Sequence, residues 1–414
     1  MYDSFIALLA ISSLFLLIDT KLLKLPTSIG LLILGMVYSI TLIGLKFVTP
    51  DIYGKLPHLL DKLDFNYFLM DIILPFLLFA GALNVDISEL DKQKLPVFIF
   101  AIFGTLISTL LVGYSGYLIF NALGIDLPLL YCMLFGALIS PTDPIAVLSI
   151  FKNYSVKKSL VMKIEGESLF NDGIGVVIFI TISGMIGTKG GNIDLNQTLL
   201  LFLREAVGGI FFGLIVGWYA IYLLKKTNIS KSAIIITLLI ATFSYSLADH
   251  LGVSGPLAMV AAGLLVGNWM HSSANQDIRH DTIAFWEVID EVFNAMLFVL
   301  MGYSITQLDP QVMSISAGII AIIIVLLSRF ISVGIPYTLM GFGTNKTKLN
   351  PEFKEITVLT WSGLRGGLAF ALSLSLIDQP GGHFIIYITY VVVAFSIVVQ
   401  GLTIGKLVTK LKLG

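Results

Sequence analysis

Long apolar runs alternate with short polar segments along the whole chain. Windows bounded by charge, proline or glycine predict about thirteen membrane-spanning helices, because a helix of roughly 20 apolar residues crosses a bilayer. The predicted fold class is therefore an all-α polytopic membrane protein. The predicted spans are residues 4–18, 28–45, 66–83, 97–120, 128–150, 160–186, 199–224, 233–249, 254–270, 286–305, 312–340, 355–377 and 384–405.

Two pairs of similar stretches indicate an internal repeat. "LLFAGALNVDISELD" at 77–91 resembles "MLFVLMGYSITQLD" at 296–309, and "SPTDPIAVL" from residue 140 resembles "SGLRGGLAF" from residue 362. An odd number of spans separates the copies, so they point in opposite directions across the membrane. Inverted repeats with interrupted helices in matching positions are typical of secondary transporters and mark their binding site. The alternative is chance similarity, because membrane helices share a small set of residue types.

Basic residues predict the orientation of the chain. With the N-terminus outside, most Lys and Arg residues lie in cytoplasmic segments, beginning with Lys21 and Lys24. The positive-inside rule then gives a multi-pass protein of the cell (inner) membrane with an outside N-terminus and a cytoplasmic C-terminus. The basic residues left on the outer side are Lys46, Lys55, Lys62, Lys189 and Arg204.

The composition supports a membrane protein and excludes several function classes. The chain is 57% hydrophobic and 12% charged, and its mean hydropathy is +0.94, so lipid must cover much of its surface. The net charge of −1 gives no sign of nucleic-acid binding, and the single Cys132 rules out an internal disulfide. No His/Cys spacing suggests a zinc or haem site, and no Gly-Lys phosphate loop suggests ATP as the energy source. We therefore expect no cofactor and no enzymatic activity.

The motif "SPTDPI" interrupts the fifth predicted span. Pro141 and Pro144 bracket Thr142 and Asp143, and a proline breaks a helix because it lacks the N–H group. We expect a break in mid-membrane, with Asp143 capping a half-helix that begins at Pro144 and freed carbonyls available to a cation. The alternative is an ordinary loop, which would leave Ile145–Phe151 as a fragment too short to span.

A polar turn, "ESLFNDG", lies in the sixth predicted span. Residues four apart share a helix face, so Glu167 lies with Asn171 and Ser168 lies with Asp172. A charged residue at the bilayer centre costs about 2.5–3.5 kcal/mol, so it is kept where it is paired or functional. Asp172 with the Ser168 hydroxyl offers the oxygen ligands that hard cations prefer, whereas Glu167 suits a structural partner. The alternative for Glu167 is a solvated position near the cytoplasmic end of the span.

Two arginines lie within later spans. Arg365 is in "SGLRGG", where the flanking glycines let the backbone approach closely or leave helical geometry. A buried Arg needs an acid, and we predict Glu167 as its partner, so that Asp172 stays available. Arg329 in the eleventh span either supports the same assembly or extends its charged end to the membrane surface.

These motifs together resemble a known family. "EGESLFNDG", preceded by "SPTDP" and followed far downstream by "SGLRGG", is similar to the monovalent cation/proton antiporters of the NhaP type, relatives of the animal sodium/proton exchangers. The resemblance covers essentially the whole chain. It implies that Asp172 binds the cation and the proton in turn. It also implies that Asn171 is the neutral partner that marks electroneutral members of the family.

Further site residues follow from the same resemblance. Thr142 and Asp143 match the unwound part of one of two crossing discontinuous helices, near the ion, and Ser168 matches a hydroxyl ligand. The implied Na⁺ ligands are therefore Asp172, Ser168 and Thr142. Glu167 and Arg365 match a structural ion pair.

The resemblance also implies a homodimer with a moving core. Residues 1–95 and 233–310 would form the dimerisation-domain helices, residues 96–186 and 311–414 the transport helices, and residues 187–232 a linker helix. The implied function is Na⁺(Li⁺)/H⁺ antiport by alternating access, and K⁺/H⁺ antiport is the alternative. One departure is Ala80, which stands where some members of the family have a Glu.

Two other classes of function remain open from the sequence. Asp143 and Asp172 on different spans could form an intramembrane aspartyl protease dyad. That assignment leaves Arg365, Asn171 and the repeat without a role. A cation channel is the second alternative.

Overall fold

Helices account for all regular structure in the described part of the chain. A computed structural model describes residues 2–48, 67–85, 87–152, 154, 156–187, 195–273, 275–308, 314–341, 349–411 and 413. The predicted all-α fold class is confirmed. Eight of the described helices are long and apolar enough to cross a membrane, namely Tyr2–Leu23, Thr27–Leu45, Lys94–Ala122, Lys158–Ile186, Leu199–Leu224, Ser230–Leu251, Ile315–Met340 and Gly382–Leu411.

The first half of the chain forms helices α1 to α9, some of which are extended by short π-helical turns. One such turn, Phe68–Ile73, leads into α3, and another, Phe100–Gly104, joins α5 to α6. The bounds are α1 Tyr2–Ile18, α2 Thr27–Val48, α3 Leu74–Asn84, α4 Ile87–Lys92, α5 Lys94–Ile99, α6 Thr105–Ala122, α7 Leu129–Ile139, α8 Ile145–Phe151 and α9 Lys158–Gly187.

The second half forms helices α10 to α18. A π-helical turn at Ser396–Gly401 connects the last two of them. The bounds are α10 Leu195–Leu224, α11 Ser230–Leu251, α12 Gly255–Ser273, α13 Gln276–Ser304, α14 Ile315–Gly341, α15 Leu349–Trp361, α16 Gly367–Leu374, α17 Gly382–Phe395 and α18 Leu402–Leu411.

Within the described residues, every predicted span coincides with a helix, with helices joined by a π-helical turn, or with two helices separated by a break. The number of membrane crossings, the inverted orientation of the repeat and the division into dimerisation and transport helices stay predictions. Some predicted features lie outside the described residues, namely Lys55, Lys62, Lys189, Asp86 in the first repeated stretch and Asp309 in the second.

Two helices are interrupted where the sequence predicts it. α7 ends at Ile139 and α8 begins at Ile145, and α15 ends at Trp361 before α16 begins at Gly367. The first break is buried rather than an external loop, because Thr142 is only 3% exposed. The two breaks are in direct contact, since the Asp143 N–H donates to the Leu364 carbonyl at 2.8 Å.

Small residues allow α2 and α13 to pack closely. A Cβ on Gly302 would clash with the Gly35 carbonyl, and the Ser39 hydroxyl donates to the Gly302 carbonyl. Such contacts are typical of helices in lipid, where close backbone approach and interhelical hydrogen bonds replace the hydrophobic drive of water. This packing holds α13 in place, and the middle of α13 forms one wall of the site described next.

Candidate ion-binding site

The polar turn of α9 lies inside the protein. Glu167 and Ser168 are each 1% exposed, and Asn171 is fully buried. Asp172 is half-buried and faces a cavity. α9 therefore carries an amide, a hydroxyl and two carboxylates into an otherwise apolar interior, where each needs a partner or a hydrated space.

Thr142 joins the first break to α9. Its Oγ1 lies 2.9 Å from the Ser168 Oγ and accepts from the Asn171 Nδ2 at 3.0 Å. Its backbone N–H donates to the Asn171 Oδ1 at 3.2 Å. Asn171 thus makes two hydrogen bonds to one residue, and this fixes the position of the break relative to the turn that carries Asp172.

Asp143 closes the start of the half-helix, as predicted. Its Oδ1 accepts from the Ile145 N–H at 2.9 Å. The helix begins at Ile145, one residue later than expected. Pro144 has no N–H to offer, so the first donor that Asp143 can accept from belongs to Ile145.

The carbonyls freed by the break have a protein partner. The Arg365 Nη1 donates to the carbonyls of Ser140 and Pro141, the latter at 2.9 Å, and Arg365 is 1% exposed. The expectation that these carbonyls meet a cation is wrong for these two groups. Arg365 itself is held through its backbone N–H, which donates to the hydroxyl of Ser396 in a π-helical turn at 3.0 Å.

The predicted ion pair between Glu167 and Arg365 is wrong. The Glu167 carboxylate accepts from both terminal nitrogens of Arg329, with the Nη2–Oε2 bond at 3.0 Å. Arg329 is 4% exposed, so its charged end does not extend to the membrane surface, and Glu167 is not solvated. The physical reason is that Arg365 is committed to the carbonyls of the break, whereas Arg329 on α14 presents a planar fork that matches a carboxylate.

A cavity of about 500 Å³ contains the predicted Na⁺ ligands. Asp172, Ser168 and Thr142 all line it, and so does Asp143. Carboxylate and hydroxyl oxygens are suitable ligands for a hard cation, and the cavity is large enough to admit water with it. The structure thus brings together the site residues that the sequence predicts around Asp172, whereas Glu167 and Arg365 are used in separate contacts.

Several cavity residues were not predicted. Glu165, Glu287, Asp290 and Asn294 line the cavity together with Asp172. Glu287, Asp290 and Asn294 recur at spacings of three and four residues in the middle of α13, which is a signal for one polar helix face. In the sequence these acids only weaken the tenth predicted span, because a hydropathy window does not show that they face the same space as Asp172.

The position of the missing third-span acid is apolar. Ala80 is 1% exposed and buried in α3. The nearby residues of α3 that line the cavity are Leu77, Leu78 and Gly81. The α3 wall next to Ala80 therefore adds no carboxylate to the cavity.

A comparison with protein families identifies the chain. A family model described as "Sodium/hydrogen exchanger, transmembrane" matches residues 6–410. The chain belongs to the sodium/hydrogen exchanger family. This membership confirms the resemblance carried by the three motifs.

Individual relatives in this family match over the full length. The chain is 38% identical to the Na(+)/H(+) antiporter NhaP of Pseudomonas aeruginosa, with 100% of this chain and 98% of the relative covered. It is 35% identical to the Na(+)/H(+) antiporter NhaH of Halobacillus aidingensis, with 95% and 94% covered. The fold is similar to that of the sodium proton antiporter MjNhaP1 from Methanocaldococcus jannaschii, with a TM-score of 0.76, 22% identity, and 99% and 97% covered.

Proposed function

We propose that this exchanger-family chain is a secondary active antiporter that exchanges Na⁺ or Li⁺ for H⁺. The observation that carries the proposal is the position of Asp172, half-buried and facing a cavity shared with the hydroxyls of Ser168 and Thr142. A carboxylate inside a membrane is costly and marks an ion or proton pathway. Relatives of similar length are named Na⁺/H⁺ antiporters, which supports these ions as the substrates.

Coupling follows from the competition of two ions for one carboxylate. Asp172 binds the cation through its charged oxygens, with Ser168 and Thr142 supplying hydroxyl oxygens. A proton on Asp172 removes the charge, so the cation leaves before the proton binds, and the reverse holds in the other half of the cycle. Asn171 does not titrate and keeps the break and α9 in register through its bonds to Thr142.

Alternating access exposes the site to one side at a time. In this proposal residues 96–186 and 311–414 move against residues 1–95 and 233–310 of a homodimer, with residues 187–232 as the linker. Lys152 and Glu165 lie on the side that the basic residues assign to the cytoplasm, and both line the cavity. On this assignment the cavity opens on the cytoplasmic side, and we propose that Asp172 is accessible from the cytoplasm in this state.

The test is ion-dependent proton movement in everted membrane vesicles. Na⁺, Li⁺ and K⁺ are added separately after a proton gradient has formed, and dequenching of a ΔpH-sensitive dye is recorded. We expect responses to Na⁺ and Li⁺. A response to K⁺ alone would show that the chain exchanges K⁺ for protons instead. An ion current far above antiporter turnover would indicate a channel.

Asp172→Asn is the decisive variant. Asn keeps the shape of the side chain and loses the exchangeable charge, so we expect the variant to fold and to lose transport. Asp126→Asn, which removes an exposed carboxylate in a loop, is the matched control and should transport like the parent. Substantial Na⁺-dependent proton movement by purified Asp172→Asn in liposomes would contradict the proposal.

A further inference from the structure

The cavity has a second wall whose charge has no role in the cycle described above. Glu287, Asp290 and Asn294 on α13 line it, whereas Asp172 and Asp143 belong to α9 and the break. Glu287 is exposed, Asp290 and Asn294 are half-buried, and every residue from Ala295 to Ser304 is buried. The polar face of α13 therefore runs from the mouth of the cavity towards its interior and ends there.

Asp290 is the less exposed of the two acids on this wall. It is half-buried, whereas Glu287, one turn earlier on the same helix face, is exposed, and both line the cavity that contains Asp143 and Asp172. The other charged groups that line the cavity are Asp172, Glu165 and one base, Lys152. Acids thus outnumber bases among the described residues that line the cavity.

Asn294 lies one turn further along the same face. Its Nδ2 donates to the Asp290 carbonyl at 3.0 Å, so the amide nitrogen is used within the helix. The amide oxygen is then the atom of Asn294 suited to meet a cation or its water. The α13 wall of the cavity therefore favours a cation electrostatically, although α13 carries none of the three sequence motifs that resemble the family.

We propose that Asp290 is a positioning residue that concentrates Na⁺ at Asp172 from the cavity side. This inference rests on the proposed antiport function and adds a determinant of cation affinity on the wall opposite the carrier. A cleft lined by one sign of charge raises the local concentration of counter-ions. Glu287 contributes less, because an exposed charge is screened by water and salt.

Because Asp290 lies on α13, we expect it to change the cation affinity on only one side of the membrane. If the helices that carry Asp172 move relative to α13, Asp290 acts on the site only while the cavity is open. It therefore lowers the KM for the cation on the cavity side and leaves the maximal rate to Asp172. We expect a change of about three- to tenfold in KM, because Asp290 is one of several acids in a cleft whose combined focusing reaches about tenfold or more.

The first experiment measures initial rates against Na⁺ concentration in everted vesicles at alkaline pH, where proton competition is least. Asp290→Asn should raise the KM about three- to tenfold with the maximal rate within about twofold of the parent, and Asp290→Glu should restore the KM. Glu291→Gln is the matched control. It removes the same charge one residue away, from an exposed position that does not line the cavity, and should leave both parameters unchanged.

Ionic strength separates electrostatics from a local structural defect. Added choline chloride should shrink the difference between Asp290→Asn and the parent, because salt screens charge. A KM within twofold of the parent, or a difference that choline leaves unchanged, would overturn the proposal. An equal shift in Glu291→Gln would do the same, because it would assign the effect to the net charge of the helix.

A second readout does not depend on transport. The Na⁺ concentration that stabilises the purified protein against thermal unfolding reports an apparent Kd. Asp290→Asn should raise this Kd about as much as the KM, and Glu291→Gln should not. If the parent binds Na⁺ with an Asp290-dependent Kd but does not exchange it, the antiport function fails and the role of Asp290 stands. If the parent exchanges Na⁺ and Asp290→Asn matches it in both readouts, only the role of Asp290 fails.

Discussion

At the scale of single residues, Asn171 and Thr142 show how a buried polar group can serve a neighbour rather than an ion. Both members of the pair are almost fully buried, and the amide satisfies a backbone N–H that the broken helix cannot satisfy. The same amide also donates to the Thr142 hydroxyl. One side chain therefore supplies partners for both the backbone N–H and the hydroxyl of Thr142 at the break.

Removing this amide should damage both stability and transport. Asn171→Ala leaves the Thr142 N–H buried without its partner, which costs about 1–3 kcal/mol. We expect a lower melting temperature in detergent and a slower maximal rate, because the break loses its register with Asp172. Asn268→Ala, which truncates an exposed amide on α12, should change neither. Parent-like melting of Asn171→Ala would show that the two bonds do not hold the break.

At the scale of helices, two buried arginines make different contacts that connect the helices around the breaks. Arg329 connects α14 to Glu167 on α9, and Arg365 connects the second break to the carbonyls of the first. Each guanidinium is almost completely buried, so its partners are needed to offset its desolvation. Buried side chains thus stabilise the breaks in addition to the backbone bond between Asp143 and Leu364.

A double-mutant cycle distinguishes the observed pairing from the one predicted from the sequence. Glu167→Gln should lower the free energy of unfolding by about 3–5 kcal/mol, because it leaves the Arg329 charge buried without its acid. The Glu167→Gln/Arg329→Gln double variant should lose much less than the sum of the single variants. Glu167→Gln/Arg365→Gln should come closer to additive, because Arg365 bonds to carbonyls instead.

The measurement is reversible unfolding in mixed micelles for the four proteins of each cycle. The interaction free energy of the first cycle should exceed that of the second, within the range of about 0.5–3 kcal/mol seen for contacting residues. A larger interaction energy for Glu167 with Arg365 would restore the pairing implied by the family resemblance.

At the scale of the whole molecule, the charge carried per cycle depends on how many carboxylates exchange. Asp172 is the proposed carrier, and its neighbour Asn171 cannot titrate. Asp143 accepts the first N–H of α8, so we assign it a capping role at the break and not the role of a carrier. Asp290 belongs to the opposite wall and does not travel with the ion in the proposed mechanism.

We therefore expect a 1:1 electroneutral exchange. Proteoliposomes with a potential set by K⁺ and valinomycin should take up ²²Na⁺ at the same rate as those without it, at a fixed pH gradient. Lower pH on the cation side should raise the apparent KM for Na⁺ and leave the maximal rate, since protons compete for Asp172. Net Na⁺ accumulation driven by potential alone would reveal a second proton carrier, and Asp143→Asn and Asp290→Asn would then identify it.

The sequence by itself determined the helical class, the place of both breaks and the polar turn of α9. These features are local: apolar length requires lipid as the surrounding phase, proline removes an N–H wherever it stands, and helical spacing places Ser168 beside Asp172. The three motifs also sufficed to indicate the exchanger family, which the family comparison confirmed.

Only the tertiary structure decided which buried charges meet. Glu167 had two arginines available in the sequence. The tertiary structure places Arg329 of α14 beside it and places Arg365 beside the carbonyls of the first break. The presence of Asp290 in the cavity of Asp172 depends likewise on where α13 packs. Charge pairing over a hundred or more residues is set by distances of a few ångströms between helices, and neither spacing nor hydropathy along the chain encodes those distances.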